Sequence, residues 1–120
     1  MIRVLLVDDR TDFRRAFARL LERQPDLEVV AAAGSLAEGR TMLSGVDVAL
    51  IDRGLPDGDG LELIGELRAA NPGARVLVIS STAEMIHPSD AIEAGADGVI
   101  DKFDTPERVF AAIRERGHGA

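Results

Sequence analysis

Three aspartates and one lysine are the residues of this chain whose types and spacing suit chemistry. Asp8-Asp9 follow the run Arg3-Val4-Leu5-Leu6-Val7, and Asp52 follows Val46-Asp47-Val48-Ala49-Leu50-Ile51. A third run, Gly98-Val99-Ile100, ends at Asp101-Lys102. Like charges gather at one place only where something compensates them. Such carboxylates suit a hard, oxygen-loving cation, above all Mg2+, which takes one or two carboxylates, keeps several waters and uses phosphate oxygens for the rest. A carboxylate is also a nucleophile able to form an aspartyl phosphate. Phosphoryl transfer needs mostly positioning and charge neutralisation; Mg2+ and Lys102 would bring positive charge, and a serine hydroxyl would hold a phosphoryl oxygen. Thirteen of the fourteen basic side chains are arginine, and Lys102 is the only lysine. A compact ammonium on a flexible stem is not interchangeable with a guanidinium fork.

These residues converge only if the elements carrying them are parallel strands. Five runs have strand character: Ile2–Val7, Leu27–Ala32, Asp47–Ile51, Arg75–Ile79 and Gly98–Asp101. Most are apolar throughout, as in strands covered on both faces. Helix-period segments separate them. Phe13, Ala16, Phe17, Leu20 and Leu21 form one stripe, and Arg15, Arg19 and Arg23 step along another, solvated face. Ser35 with Glu38 has the pattern of a capping box, weakened by Gly39 inside the segment. A third helix spans about 61–70, with Leu61, Ile64 and Leu67 inward, and stops before Asn71-Pro72-Gly73. Pro88 interrupts the fourth segment, 83–94, so a regular helix begins near it and ends at Gly95. Thr105 as N-cap and Pro106 at N1 open a fifth helix that buries Val109, Phe110 and Ile113. The alternation predicts a doubly wound, five-stranded parallel α/β sheet with right-handed crossovers. In such a sheet the site lies beyond the carboxyl ends of the strands. Asp8, Asp9, Asp52, Ser80, Ser81 and Lys102 all fall there.

Composition narrows the function. At 120 residues the chain fits one domain. It has no cysteine, which excludes disulfides and thiolate metal sites and fits a reducing cytoplasm. Its longest apolar runs are strand-sized, so neither a signal peptide nor a membrane span is expected. A net charge of −7 disfavours direct binding to nucleic acid. Nothing pairs His87 or His118 into a metal or catalytic site. The tail 117–120 reads as frayed, or as the start of a truncated linker after a domain over 1–116.

In this order and spacing the constellation resembles the receiver domain of two-component response regulators, over Ile2 to about Arg116. The resemblance is carried by Asp8-Asp9, the turn Asp52-Arg53-Gly54-Leu55-Pro56-Asp57-Gly58-Asp59-Gly60, Ser80 after Val76-Leu77-Val78-Ile79, Ala94-Gly95-Ala96-Asp97-Gly98, and Lys102. It implies a flavodoxin-like (βα)5 fold with strand order 2-1-3-4-5. It makes Asp52 the phosphoacceptor. Asp9 would bind Mg2+ directly, Asp8 through water or by shaping the site, and Gly54 through its backbone carbonyl. Ser80 would bond the phosphoryl group and Lys102 would pair with it, while Pro56 and Gly60 shape the loop. Pro25-Asp26-Leu27-Glu28-Val29-Val30, and Phe103 where many receivers carry proline, resemble the NarL/FixJ group. That group usually joins the receiver to a helix-turn-helix output domain, and no such domain is expected within these 120 residues. The implied partners are a histidine kinase or phosphotransfer protein, that output domain, and a second copy in a homodimer.

The implied function is a cytoplasmic, phosphorylation-controlled signalling module acting on transcription. It catalyses only its own phosphorylation and slow dephosphorylation, and is not a turnover enzyme. Two positions depart from the pattern. Val99, three residues before Lys102, stands where receivers commonly carry tyrosine or phenylalanine, and valine cannot make the rotation that accompanies their switching. Arg53 stands where an aliphatic residue is common, as a further phosphate contact or a counter-ion of the acid site. Val99 motivates the alternative of a receiver that signals without phosphate. A Mg2+-dependent aspartyl-phosphate phosphohydrolase would need a second acid two residues after the nucleophile, where this chain has Gly54. A nucleotide- or flavin-binding module would need a glycine-rich loop where this chain has Asp8-Asp9-Arg10-Thr11.

Overall fold

Val4, Leu5, Leu6 and Val7 expose no surface, although they are consecutive. Side chains alternate across a strand, so four buried neighbours require cover on both faces. The computed structural model, which describes residues 1–80 and 88–115, shows that cover. Val4 and Leu6 pack with Phe17, Leu21, Val109, Phe110 and Ile113 on one face. Leu5 and Val7 pack with Leu36, Leu63, Ile64, Leu67 and Ala91 on the other.

The chain runs β1 (Ile2–Val7), α1 (Thr11–Glu22), β2 (Leu27–Ala33), α2 (Leu36–Arg40), β3 (Val48–Asp52), β4 (Gly54–Leu55), β5 (Gly58–Asp59), a 3-10 turn (Gly60–Glu62), α3 (Leu63–Ala70), β6 (Arg75–Ser80), α4 (Pro88–Glu93), β7 (Gly98–Asp101) and α5 (Pro106–Arg114). The main sheet has the order β2-β1-β3-β6-β7, and its pairings are parallel. This is the predicted order 2-1-3-4-5 once the two-residue ladder β4–β5 is set aside. Helices α1 and α5 cover one face and α2, α3 and α4 the other, giving a doubly wound, flavodoxin-like α/β fold.

Register aligns the strand ends. Val7 pairs with Ile51, so Asp8 and Asp52 follow at the same level. Asp52 pairs with Ile79, which sets Ser80 one step further, and Ser80 pairs with Asp101, which sets Lys102 beyond it.

Local signals account for most boundaries. The Ser35 side chain accepts from the Glu38 N–H at 3.1 Å, and Thr105 caps α5 with Pro106 in its first turn. Gly95, at φ +107, ends α4 with a backbone that a side chain rarely adopts. Strands β2 and β6 each run one residue further than predicted, to Ala33 and Ser80, and three further expectations need correction. Strand β3 is Val48–Asp52, one residue later than predicted. Asp47 turns its carboxylate back to the Arg3 N–H at 2.8 Å, and Asp52 joins the ladder. Ala16 is exposed, because the inward stripe of α1 centres on Phe17 and Leu21. The third helix starts at Leu63, since residues 60–62 form a tighter turn capped by Asp59. The expectations for Ser81, for residues 83–87, for His118 and for the tail fall outside the described residues.

Candidate functional site

The carboxyl edge of the sheet brings the predicted acids together. Asp8 and Asp52 are buried and Asp9 is exposed, and each offers a carboxylate oxygen within 4.8 Å of the others. Asp8 leaves β1 with its N–H donating to the Ala33 carbonyl at 2.9 Å. Its Oδ1 accepts the Arg10 N–H at 2.8 Å, and its carbonyl accepts from the Arg14 guanidinium at 2.6 Å. The turn into α1 is therefore built on Asp8. Asp52 Oδ1 accepts the Gly54 N–H at 3.1 Å.

Lys102 reaches into this cluster from the end of β7, its backbone N–H donating to the Ser80 carbonyl at 2.8 Å. Its Nζ lies 2.6 Å from Asp8 Oδ2 and 3.0 Å from Asp52 Oδ2. The buried Asp8 Oδ2 has the Lys102 ammonium as its partner, in a close ion pair. Burial pushes the Asp8 carboxyl above its ordinary value, and the nearby Asp52 charge adds to this, while Lys102 and the Arg10 N–H pull down. For Lys102, burial opposes the ammonium, but hydrogen bonds and attraction from Asp8 and Asp52 outweigh it and raise its pKa. A site of this kind has surplus negative charge: three carboxylates face one ammonium. Three carboxylates with oxygens within 4.8 Å of one another, two of them buried and one exposed at the mouth, fit a hard divalent cation.

The other predicted residues fall in place around this centre. Ser80 is 2 % exposed at the end of β6. Gly54 is exposed in β4, opposite Asp59. Gly60 shapes the loop by lacking a side chain: a Cβ there would lie 2.0 Å from the Asp52 carbonyl oxygen and 2.7 Å from Ile51 Cγ2. Val99 is half-buried and packs against the core under α2, α3 and α4. Arg53 pairs with Asp59 at 3.0 Å and with Asp90 of α4 at 4.0 Å. Lys102 is the cation paired with both buried acids among the described residues.

Sequence reasoning missed two residues. Asp57 is more than a turn former: its carboxylate accepts the N–H groups of Leu36 at 2.8 Å and Ala37 at 3.0 Å. It caps α2 from a loop far along the chain, and those bonds hold its carboxyl below the ordinary value. The clue available in sequence was a further acid within the turn that follows Asp52. Phe13 is more than core: Lys102 Nζ lies 4.6 Å from its ring centroid. Here the clue was an aromatic in the first turn of a helix starting directly after Asp8-Asp9.

Comparison with known proteins is consistent with this geometry. The family model for the response regulator receiver domain matches residues 4–114. The DNA-binding transcriptional activator DevR/DosR of Mycobacterium tuberculosis is 39% identical over 121 residues, covering 99% of this chain and 56% of that protein. The chain thus spans little more than half the length of that relative. A LuxR-family two-component response regulator from Aurantimonas superposes with a TM-score of 0.78 at 32% identity, over 92% of this chain and 81% of the other. A response regulator from Burkholderia pseudomallei, solved with a phosphorylated aspartic acid, a calcium ion and citrate, superposes with a TM-score of 0.79 at 28% identity, over 95% of this chain and 67% of the other.

Proposed function

This chain belongs to the response regulator receiver domain family, and from that premise we propose that it accepts a phosphoryl group on Asp52 from a histidine kinase or phosphotransfer protein. The observation carrying the proposal is the Asp52 carboxylate itself. It is buried at a strand end, hydrogen-bonded on one oxygen by a backbone N–H, and paired on the other with Lys102 at 3.0 Å.

A carboxylate oxygen of Asp52 forms the O–P bond as the P–N bond to the donor histidine breaks, and the bonding electron pair leaves with the donor nitrogen. Lys102 pairs with an oxygen of the transferred group, and Ser80 offers it a hydroxyl hydrogen. Asp9, Asp52, Asp8 through water, and the Gly54 carbonyl would hold Mg2+. When bound, the ion supplies charge neutralisation and orients the phosphoryl oxygens. Gly60 and the Asp59 cap keep the loop after Asp52 in place. Gly54 offers no second acid, so transfer is stoichiometric and hydrolysis of the adduct slow, as suits a signalling protein. Phosphorylation biases the domain between two conformations, which controls an output. The length and character of DevR/DosR favour a DNA-binding domain in that role, in the cytoplasm. Among the described residues, no helix is long and apolar enough to cross a membrane.

The test is to add Mg2+ with a small phosphodonor or beryllofluoride and to follow the protein by intact mass and NMR. One adduct per chain, absent in Asp52→Asn and without Mg2+, is expected. No adduct, or one that persists in Asp52→Asn, removes Asp52 as acceptor and leaves a receiver that signals without phosphorylation. Sustained turnover of phosphomonoesters would make the domain a phosphohydrolase.

A further inference from the structure

Among the described residues, three groups hold the Lys102 ammonium. Two are the carboxylates of Asp8 and Asp52, and the third is the face of Phe13, with Nζ 4.6 Å from the ring centroid. Only 6% of the Lys102 side chain is exposed. We propose that Phe13 is a positioning residue for phosphoryl transfer, holding the Lys102 ammonium over Asp52 by cation–π attraction. This inference rests on Asp52 being the phosphoacceptor.

The physical case has three parts. A lysine stem has several rotatable bonds and considerable rotamer entropy to lose. Two carboxylates restrain its end, but an incoming phosphoryl group shares Asp52 and competes for the same ammonium. The ring restrains the ammonium without consuming its N–H donors as an oxygen would, so its hold survives that exchange. Cation–π attraction is strongest where water is excluded, and this ammonium is nearly dry.

The ring is itself braced. Phe13 stacks on Phe17, centroids 5.2 Å apart and planes inclined by 17°, and Phe17 is buried in the core beneath α1. The pair is spaced i, i+4 along the helix, where side chains meet. The start of α1 is anchored by Asp8 through the Arg10 N–H and the Arg14 guanidinium. One residue thus pairs with Lys102 and also fixes the helix that carries the ring under it.

A chain with a single lysine makes the test direct, because its side-chain NMR signals can come only from Lys102. The measurement uses the full chain with 13C,15N-labelled lysine, in wild type, Phe13→Leu and Phe13→Tyr, with urea unfolding to establish that each is folded. Ring-current shielding should move the Lys102 Cε protons upfield in wild type and Phe13→Tyr, and the shift should vanish in Phe13→Leu. Transfer from a small phosphodonor should slow roughly five- to thirtyfold in Phe13→Leu, equivalent to about 1–2 kcal/mol, and recover in Phe13→Tyr. In a Lys102→Met background, Phe13→Leu should have no further effect. An unchanged Lys102 shift in Phe13→Leu, or an equal loss of rate in the Lys102→Met background, would overturn the proposal. If the shifts behave as expected but wild type takes no phosphoryl group, the ring still places the lysine. The phosphoacceptor reading then falls, and with it any role of Phe13 in transfer.

Discussion

Replacing Gly60 by alanine is the sharpest perturbation of the loop that carries Asp52. The added Cβ would sit 2.0 Å from the Asp52 carbonyl oxygen, 2.7 Å from Ile51 Cγ2 and 2.9 Å from the Asp52 carbonyl carbon. Two of these three contacts are to backbone, which cannot rotate away as the end of a side chain can. Relief to about 3 Å requires the Asp52 main chain and residue 60 to part by roughly 1 Å, since non-bonded carbon atoms prefer about 3.5–4 Å. That strain costs about 1–3 kcal/mol of stability. Displacing a reacting group by about 1 Å can cost roughly a hundredfold in rate. Gly60→Ala should therefore remain folded, unfold at lower urea concentration with an unchanged slope, and acquire its Mg2+-dependent adduct about a hundredfold more slowly. Gly65→Ala is the matched control. Gly65 lies in α3 with nothing within 4 Å of its would-be Cβ, so alanine should stabilise by up to about 1 kcal/mol and leave the adduct rate alone. Equal urea midpoints and equal adduct rates for Gly60→Ala and wild type would refute the steric reasoning.

Other expectations follow from the same contacts. Lys102→Met leaves Asp8 and Asp52 buried without their ammonium, which should cost about 3–5 kcal/mol in urea unfolding near neutral pH. The raised pKa of Lys102 sets the pH window. Its contribution should be complete below the ordinary lysine value and fade as pH climbs through the higher folded value, so the gap between wild type and Lys102→Met should close in strong alkali. Asp57→Asn should speed amide exchange at Leu36 and Ala37. Because the Asp57 pKa is lowered on folding, wild type should show the same loss only as pH falls from the ordinary aspartate value through that lower one. Asn71→Ala removes the acceptor of the Val46 N–H at 3.0 Å and the donor to the Leu43 carbonyl. It should cost about 1–3 kcal/mol in urea unfolding by leaving part-buried backbone groups unpaired.

Strand β1 shows why so much of the architecture was legible. Its run of apolar residues from Val4 to Val7 suits a strand covered twice over, and that in turn requires helices on both faces. Once parallel strands are inferred, residues just past their ends must share an edge, so Asp8, Asp9, Asp52, Ser80 and Lys102 could be grouped without coordinates. Where the reading failed, short range was the cause. Ala16 has the right spacing for the stripe of α1, but the side of α1 facing the sheet centres on Phe17 and Leu21, with Phe13, Ala18 and Leu20 partly buried beside them. Asp57 has the local character of a turn residue, and its true partners, Leu36 and Ala37, lie twenty or more positions away.

By itself the sequence determined the alternation of strand and helix, the edge at which the acids gather, and the presence of one ammonium at that edge. These depend on residue type and on periods of two and of three to four, which survive without tertiary context. Only the folded chain decided which carboxylates are buried, that Lys102 bridges Asp8 and Asp52 while Asp9 stays exposed, and that a phenyl ring lies beneath the ammonium. Those are distances between elements far apart in the chain. Strand register and helix docking set them, and no local pattern encodes either.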